Sequence, residues 1–243
     1  MTLAPAQLSP LVCPECNDAG YFRQDVDRVH PEFGKLIRCD NAVHQVDRLR
    51  RMADISNMGP EAVKRRLDDI QISEENREML TAARTLIDNP RGWLYIYGGP
   101  GNAKSETLIA IINELNQRQR GPAIYTTFTQ ILDWMRAAYN TNVYNEDYLT
   151  RFTRLKNMPV IAIDEMDKAR STPWAEEFRF SFLDERYMAA ADGRNYVTVF
   201  AGNTHPKDLE CDVLYDRFRD GRFVIVENRA GSARPNMAWQ ITN

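Results

Sequence analysis

Long apolar runs are missing from this chain. No stretch of its 243 residues approaches the roughly 20 apolar residues that cross a bilayer, which excludes a membrane-spanning helix and a membrane partner. Residues 1–10 lack the charged and apolar regions of a signal peptide, so the expected location is cytoplasmic. A surplus of one charge is missing too. The net charge of −3 excludes a broad basic coat, and any contact with nucleic acid must be local. Cysteine is scarce. Four in the whole chain are too few for a disulfide scaffold, and in a reducing compartment they point to metal ligands or free thiols. No internal repeat or low-complexity tract is present, which excludes solenoids and fibres. What remains is 43% apolar and 27% charged, the balance of a soluble globular protein with one moderate domain and a small appendage.

Strand and helix patterns alternate through most of the chain. Apolar periodicity predicts a helix over 74–87, a buried strand over 93–97 and a helix over 104–119. A strand over 123–128, a helix over 130–139 and a polar loop over 140–148 follow. The apolar run from Val160 predicts a strand buried on both faces. A long helix over 174–191, a strand over 196–201, a short helix over 209–219 and a last strand over 223–226 complete the pattern. Such alternation predicts an α/β fold, a five-stranded parallel sheet with helices on both faces.

Chemistry concentrates where these strands end. Tyr95-Ile-Tyr-Gly-Gly-Pro-Gly-Asn-Ala-Lys-Ser105 runs from an apolar strand through a glycine-rich turn into a helix. Backbone N–H groups in such a turn, with the helix N-terminus behind them, suit the phosphates of a nucleotide. Gly99, Pro100, Gly101, Asn102, Ala103, Lys104 and Ser105, with Glu106 in the first helical turn, are the candidate nucleotide-binding residues. Lys104 would reach the β- and γ-phosphates and the Ser105 hydroxyl a Mg²⁺ ion. Ala103 stands where a glycine is expected, and alanine suits that position if it is helical. The strand from Val160 ends in Asp164 and Glu165. Asp164 is placed to hold Mg²⁺, and Glu165 to polarise a water that attacks ATP. Asn203, at the end of the strand over 196–201, would sit between the γ-phosphate and that water.

The front of the chain carries a second constellation. Cys13 and Cys16 have a zinc-knuckle spacing, and Cys39 and His44 follow. Together they would make a Cys₃His site for Zn²⁺, with His30 as the competing fourth ligand. Helices are predicted over 42–55 and 60–67, each with a basic cluster suited to DNA or an acidic partner. The expected division is a zinc-binding front over 1–66 and an ATPase domain over 67–243.

Residues 98–105, Ile161-Ala-Ile-Asp-Glu165 and Ala201-Gly-Asn203 resemble Walker A, Walker B and sensor 1 of an AAA+ ATPase. Phe182-Leu-Asp-Glu-Arg-Tyr187 and Leu214-Tyr-Asp-Arg-Phe-Arg219 resemble the DnaC/DnaI/IstB branch of these proteins, and the cysteine-rich front with His30-Pro-Glu-Phe-Gly34 resembles DnaC-type helicase loaders. The resemblance implies an AAA+ P-loop core without a full helical lid. It implies an ATPase that binds single-stranded DNA and delivers a replicative DNA helicase, whose docking site would be the zinc front. An IstB-like transposition ATPase, or a nucleotide-gated DNA-binding scaffold with little hydrolysis, is the alternative. Arg217 matches the arginine finger that completes a neighbour's site in a homo-oligomer, with Arg219 as the other candidate, and Arg234 matches sensor 2.

Overall fold

A computed structural model describes residues 21–23, 26–27, 30, 33–35, 37–38, 56, 58–59, 61–118, 123–140, 147–191, 196–209 and 212–232. Its contacts separate two units, Met1–Asp54 and Ile55–Asn243. In the first, β1 (Tyr21–Phe22) pairs antiparallel with β2 (Ile37–Arg38). Cys13, Cys16, Cys39 and His44 lie outside the described residues, as does the helix expected over 42–55; His30 is exposed.

The second unit is a parallel α/β sandwich. Its sheet takes β3 (Gly92–Tyr97), β4 (Ala123–Thr127), β5 (Val160–Asp164), β6 (Val197–Gly202) and β7 (Val224–Glu227) in the order β4-β5-β6-β3-β7. Every pairing in it is parallel. The helices are α1 (Arg77–Asp88), α2 (Lys104–Gln117), α3 (Phe128–Ala137), α4 (Tyr148–Lys156), α5 (Pro173–Ala191) and α6 (Asp212–Phe218). Among the described residues no helix is long and apolar enough to cross a membrane.

The two faces of the sheet are built from different side chains. Alternation along each strand sends Leu94, Ile96, Ala162, Val199 and Val226 into one layer, closed by α1 and α2 through Met79, Ala83, Leu108 and Ile111. The other face is aromatic. Trp93 stacks on Phe223 with ring centroids 4.7 Å apart and meets Phe200 edge-on at 5.4 Å, and Phe218 of α6 covers Tyr95 at 5.3 Å. Each such ring contributes about 1.5–3 kcal/mol by burial.

Local signals place the helix starts. Thr127 and Gln130 form a reciprocal capping box at α3. Asp147 accepts the Thr150 N–H at the start of α4, and Thr172 Oγ1 accepts the Ala175 N–H at the start of α5. In place of the helix expected over 60–67, the described residues form two 3-10 turns, Ala62–Lys64 and Leu67–Asp69. The Asn113 side chain of α2 donates to the Ala62 carbonyl (2.8 Å) and the Arg65 carbonyl (2.9 Å), oxygens a continuing helix would use itself. Helix α4 is not among the helices expected from the sequence, although Tyr148, Phe152 and Leu155 recur in it at helical spacing. Its buried residues are Arg151 and Leu155, and Arg151 donates to the Trp134 carbonyl with its guanidinium 5.1 Å from that ring.

Arg186 of α5 is fully buried beneath the amino ends of β5 and β6. Its guanidinium donates to Thr198 Oγ1 (2.8 Å) and to the carbonyls of Lys156 (3.1 Å), Met158 (2.8 Å) and Val197 (3.0 Å). Burial pushes its pKa down to about 9, still well above neutrality, so the group is a charged staple between helix and sheet. Arg186→Leu strands these acceptors in the core. Urea unfolding of that variant is expected to show a loss of roughly 2–4 kcal/mol, the range for breaking a buried polar network.

Candidate functional site

The chain leaves β3 at Tyr97, turns through residues 98–103 and enters α2 at Lys104. Gly98 has φ +144°, and a Cβ there would stand 2.1 Å from the Asn228 carbonyl oxygen, so no side chain fits. Asn228 follows β7 and grips the turn in two ways. Its Nδ2 donates to the Asn102 carbonyl at 2.6 Å, and Asn102 Nδ2 donates back to the Asn228 carbonyl at 3.0 Å. The Asn228 N–H also closes on the Tyr97 carbonyl at 2.7 Å. Asn228, which in the sequence only opens an irregular tail, is thus the anchor of the phosphate loop.

Ala103 departs from its expected helical conformation. It sits at φ 66°, ψ 14°, in the left-handed region. The chain turns through that region between loop and helix, which is where a glycine carries no penalty. Alanine there costs roughly 1–2 kcal/mol.

Lys104 is largely buried, and its ammonium donates to the carbonyls of Gly98 (2.7 Å) and Gly99 (2.6 Å) and to Asn102 Oδ1 (3.0 Å). Burial pushes its pKa down, while the charges of Asp164 and Asp167 oppose that shift. Asp164 is 5% exposed. Its Oδ1 accepts the Glu165 N–H at 2.8 Å and its Oδ2 accepts the Tyr125 hydroxyl at 2.7 Å. Tyr125 pairs with Ala162 across the sheet, so its ring lies on the face that Asp164 reaches two residues later. Burial, with the Asp164 charge next, pushes the Tyr125 pKa far up, and Ser105, at the start of α2, pulls it slightly the other way, so Tyr125 is a neutral donor. Sequence alone holds no sign of it, because an apolar strand absorbs a tyrosine without comment.

The Ser105 hydroxyl and the buried Asp164 carboxylate are both oxygen donors, which fit a hard divalent cation such as Mg²⁺. Among the described residues no three His, Cys, Asp or Glu side chains gather as a metal cluster. A cation held by Ser105 and Asp164 would therefore take its other ligands from phosphate and water.

Glu165 is the second non-glycine residue with positive φ, at 56°. Its carboxylate pairs with Lys168, with Oε1 2.5 Å from Nζ. Asn203 is exposed just beyond β6, with its N–H bonded to Asp167. Glu106 faces outward and pairs with Arg65 at 3.2 Å. Arg217 is tied within its own unit: it pairs with Asp184 at 2.5 Å, and its guanidinium lies over the rings of Phe180 (5.2 Å) and Tyr187 (5.3 Å). Arg219 is exposed. Arg234 lies outside the described residues. A groove of about 810 Å³ opens at the other end of β3, lined by Thr85, Trp93 and Phe223 among others. Its position at the amino end of the strand keeps it away from the phosphate loop.

Replacing Ala103 by glycine removes the left-handed penalty at the entrance to α2. Ala103→Gly is expected to raise the unfolding free energy by about 0.5–1 kcal/mol, and Ala103→Val to lower it. Denaturant titration of the three proteins checks both signs.

No protein-family model matches the chain. Several solved structures share its fold. The replication initiator DnaA bound to AMPPCP and single-stranded DNA superposes with a TM-score of 0.61 at 18% identity, over 72% of this chain and 52% of that one. DnaI matches with a TM-score of 0.55 at 17% identity, over 71% of this chain and 95% of DnaI. The DnaC helicase loader matches with a TM-score of 0.55 at 13% identity, over 70% of this chain and 100% of the loader. The match thus spans about half of the DnaA chain but nearly all of the other two. At these identities the likeness shows the fold alone: a five-stranded parallel sheet flanked by helices.

Proposed function

We propose that this chain is an ATP-dependent helicase loader of DNA replication. The observation that carries the reading is the convergence of Lys104, Ser105, Asp164, Glu165 and Asn203 at the carboxyl ends of neighbouring strands β3, β5 and β6. Ligands bind at that edge in sheets of this kind. The likeness to DnaI and the DnaC helicase loader supports the loader role. The likeness to DnaA bound to AMPPCP and single-stranded DNA supports nucleotide and DNA as ligands.

In this reading the Lys104 ammonium exchanges its loop oxygens for the β- and γ-phosphates of ATP, and the N-terminus of α2 adds its partial positive charge. Ser105 and Asp164 would hold a Mg²⁺ ion, which would supply positive charge against the transferring phosphoryl group. Glu165 leaves Lys168 to orient a water and take its proton as oxygen attacks the γ-phosphorus. The bond to the β-phosphate oxygen breaks, releasing ADP and inorganic phosphate. Asn203 holds the water and the terminal phosphate in line. The site is completed by an arginine from a neighbouring copy in a homo-oligomer. We assign that role to the exposed Arg219; the ion pair of Arg217 with Asp184 supports an internal, structural role for Arg217.

One observation favours a second reading, a nucleotide-gated scaffold with little turnover: the Glu165 carboxylate is occupied by Lys168 and the loop carries a strained alanine. Turnover separates the two. The loader reading expects ATP hydrolysis by the purified protein, with Glu165→Gln lowering kcat by at least about 100-fold while nucleotide affinity stays within a few-fold. Affinity without turnover, with or without single-stranded DNA, would establish the scaffold instead.

The front of the chain is proposed as the helicase-docking module, with Cys13, Cys16, Cys39 and His44 holding one Zn²⁺. Residues 61–66 stay with the ATPase unit in the test, because their carbonyls are bonded by Asn113. Elemental analysis of the full chain is expected to give about one zinc per chain. A chain beginning at Ile55 is expected to contain none and to lose capture of the replicative helicase while still binding nucleotide.

A further inference from the structure

The turn after β5 does not run straight into α5. With Glu165 in the left-handed region, the Met166 N–H closes on the Ala201 carbonyl of β6 at 3.0 Å, and the Lys168 N–H returns to the Glu165 carbonyl at 3.1 Å. This folds the turn sideways across the end of β6 and carries Asp167 to Gly202.

Asp167 is fixed there through one of its two oxygens. Its Oδ2 accepts the Asn203 N–H at 2.8 Å. Its Oδ1 is sealed from solvent and has no hydrogen-bond partner among the described residues. A Cβ on Gly202 would lie 3.4 Å from that oxygen and 2.6 Å from the Tyr95 hydroxyl, so the space between the three residues is filled. The Tyr95 hydroxyl donates to the Thr204 carbonyl at 3.3 Å. Burial, and next the charge of Asp167, push the Tyr95 pKa far up, so it serves only as a donor. The backbone that bears the Asn203 side chain is therefore held from below at two points, Asn203 by Asp167 and Thr204 by Tyr95, while Asn203 itself is exposed.

A buried carboxylate oxygen without a partner is unfavourable and uncommon in folded proteins. Its survival needs a reason, and departures of this kind gather at functional sites. The other oxygen supplies one. We propose that Asp167 is a positioning residue: through the Asn203 N–H it sets the Asn203 side chain at the sheet edge where the terminal phosphate of a bound nucleoside triphosphate is recognised. The proposal rests on the nucleotide-site reading above and deepens it. Asp167 touches no phosphate and acts only through the loop it holds.

The test compares binding of Mg·AMPPCP with binding of Mg·ADP, together with amide hydrogen exchange over residues 202–204, in the full chain. In Asp167→Ala, exchange at Asn203 is expected to rise about tenfold, the effect of losing one hydrogen bond. Preference for AMPPCP over ADP is expected to fall by about tenfold, with ADP affinity unchanged within about threefold. Asp167→Asn keeps an oxygen for the Asn203 N–H and is expected to recover most of the preference. In an Asn203→Ala background, Asp167→Ala is expected to change the preference no further. Losses that multiply in the double variant, or an Asn variant as damaging as the Ala variant, would overturn the positioning role. Should Asp167→Ala not fold, Asp167→Glu, which shifts the carboxylate by one methylene, is expected to show the same selective loss. A uniform drop in both affinities would overturn the proposal there. A wild-type chain that binds neither nucleotide overturns the underlying site reading, while the exchange data still report whether Asp167 holds the loop.

Discussion

Ile96 of β3 pairs with Ala201 of β6, and Ile163 of β5 pairs with Phe200, one residue short of Ala201. This parallel register brings three strand ends level, and the candidate site depends on it. Lys104, Asp164 and Asn203 come from parts of the chain that are distant in sequence, yet each lies at or just beyond the carboxyl end of its strand. A slip of one residue in β5 would turn Asp164 toward the aromatic face and remove it from Ser105 and Tyr125. The register is held from both faces: Ala162, Val199 and Ile96 pack under α2, and Phe200 locks against Trp93 and Tyr95. Packing in the core thereby becomes precision at the edge.

The two edges of the sheet are finished differently. At the amino edge Arg186 satisfies the carbonyls of Met158 and Val197 with one buried guanidinium. The group works as a multiple donor to neutral oxygens, which fixes where β5 and β6 begin. At the carboxyl edge polar groups also bond to one another, but in separate pairs: Asn102 with Asn228, Tyr125 to Asp164, and Asp167 with the Asn203 N–H. Such contacts can be exchanged for a ligand. The rigid end and the exchangeable end belong to the same strands, so a site that must rearrange is carried on elements that need not.

Much of this is legible in the residues alone. Apolar strands alternating with periodic helices, and the glycine-rich turn ending in Lys104 and Ser105, are local patterns, and they identify the sheet and its phosphate loop. What stays hidden is non-local. Tyr125 reads as a core residue until the register puts it beside Asp164. Asn228 reads as the start of a tail until β7 closes next to β3. Asp167 looks like a surface acid following Asp164 and Glu165, because nothing local shows that the turn folds across β6. Ala103 reads as helical since Lys104 starts a helix directly after it, and only the backbone angle reveals the left-handed turn.

The charged groups of the site share one property: each is already compensated by a neighbour. Lys104 is held by three oxygens of its own loop and Glu165 by Lys168. A nucleotide bound as proposed would replace such bonds rather than fill bare positions. Its net affinity is the difference between the bonds its phosphates form and the internal ones that are given up. The exchanges are also linked in space. The charges of Asp164 and Asp167 both act on Lys104, and Asp167 is bonded to the loop bearing Asn203. Moving Lys104 onto phosphate changes the field at both carboxylates, and Asp164 shares its backbone junction with Glu165. Events at the phosphate loop are therefore felt at the Glu165–Lys168 pair and at the Asn203 loop through interactions that already exist in the folded chain.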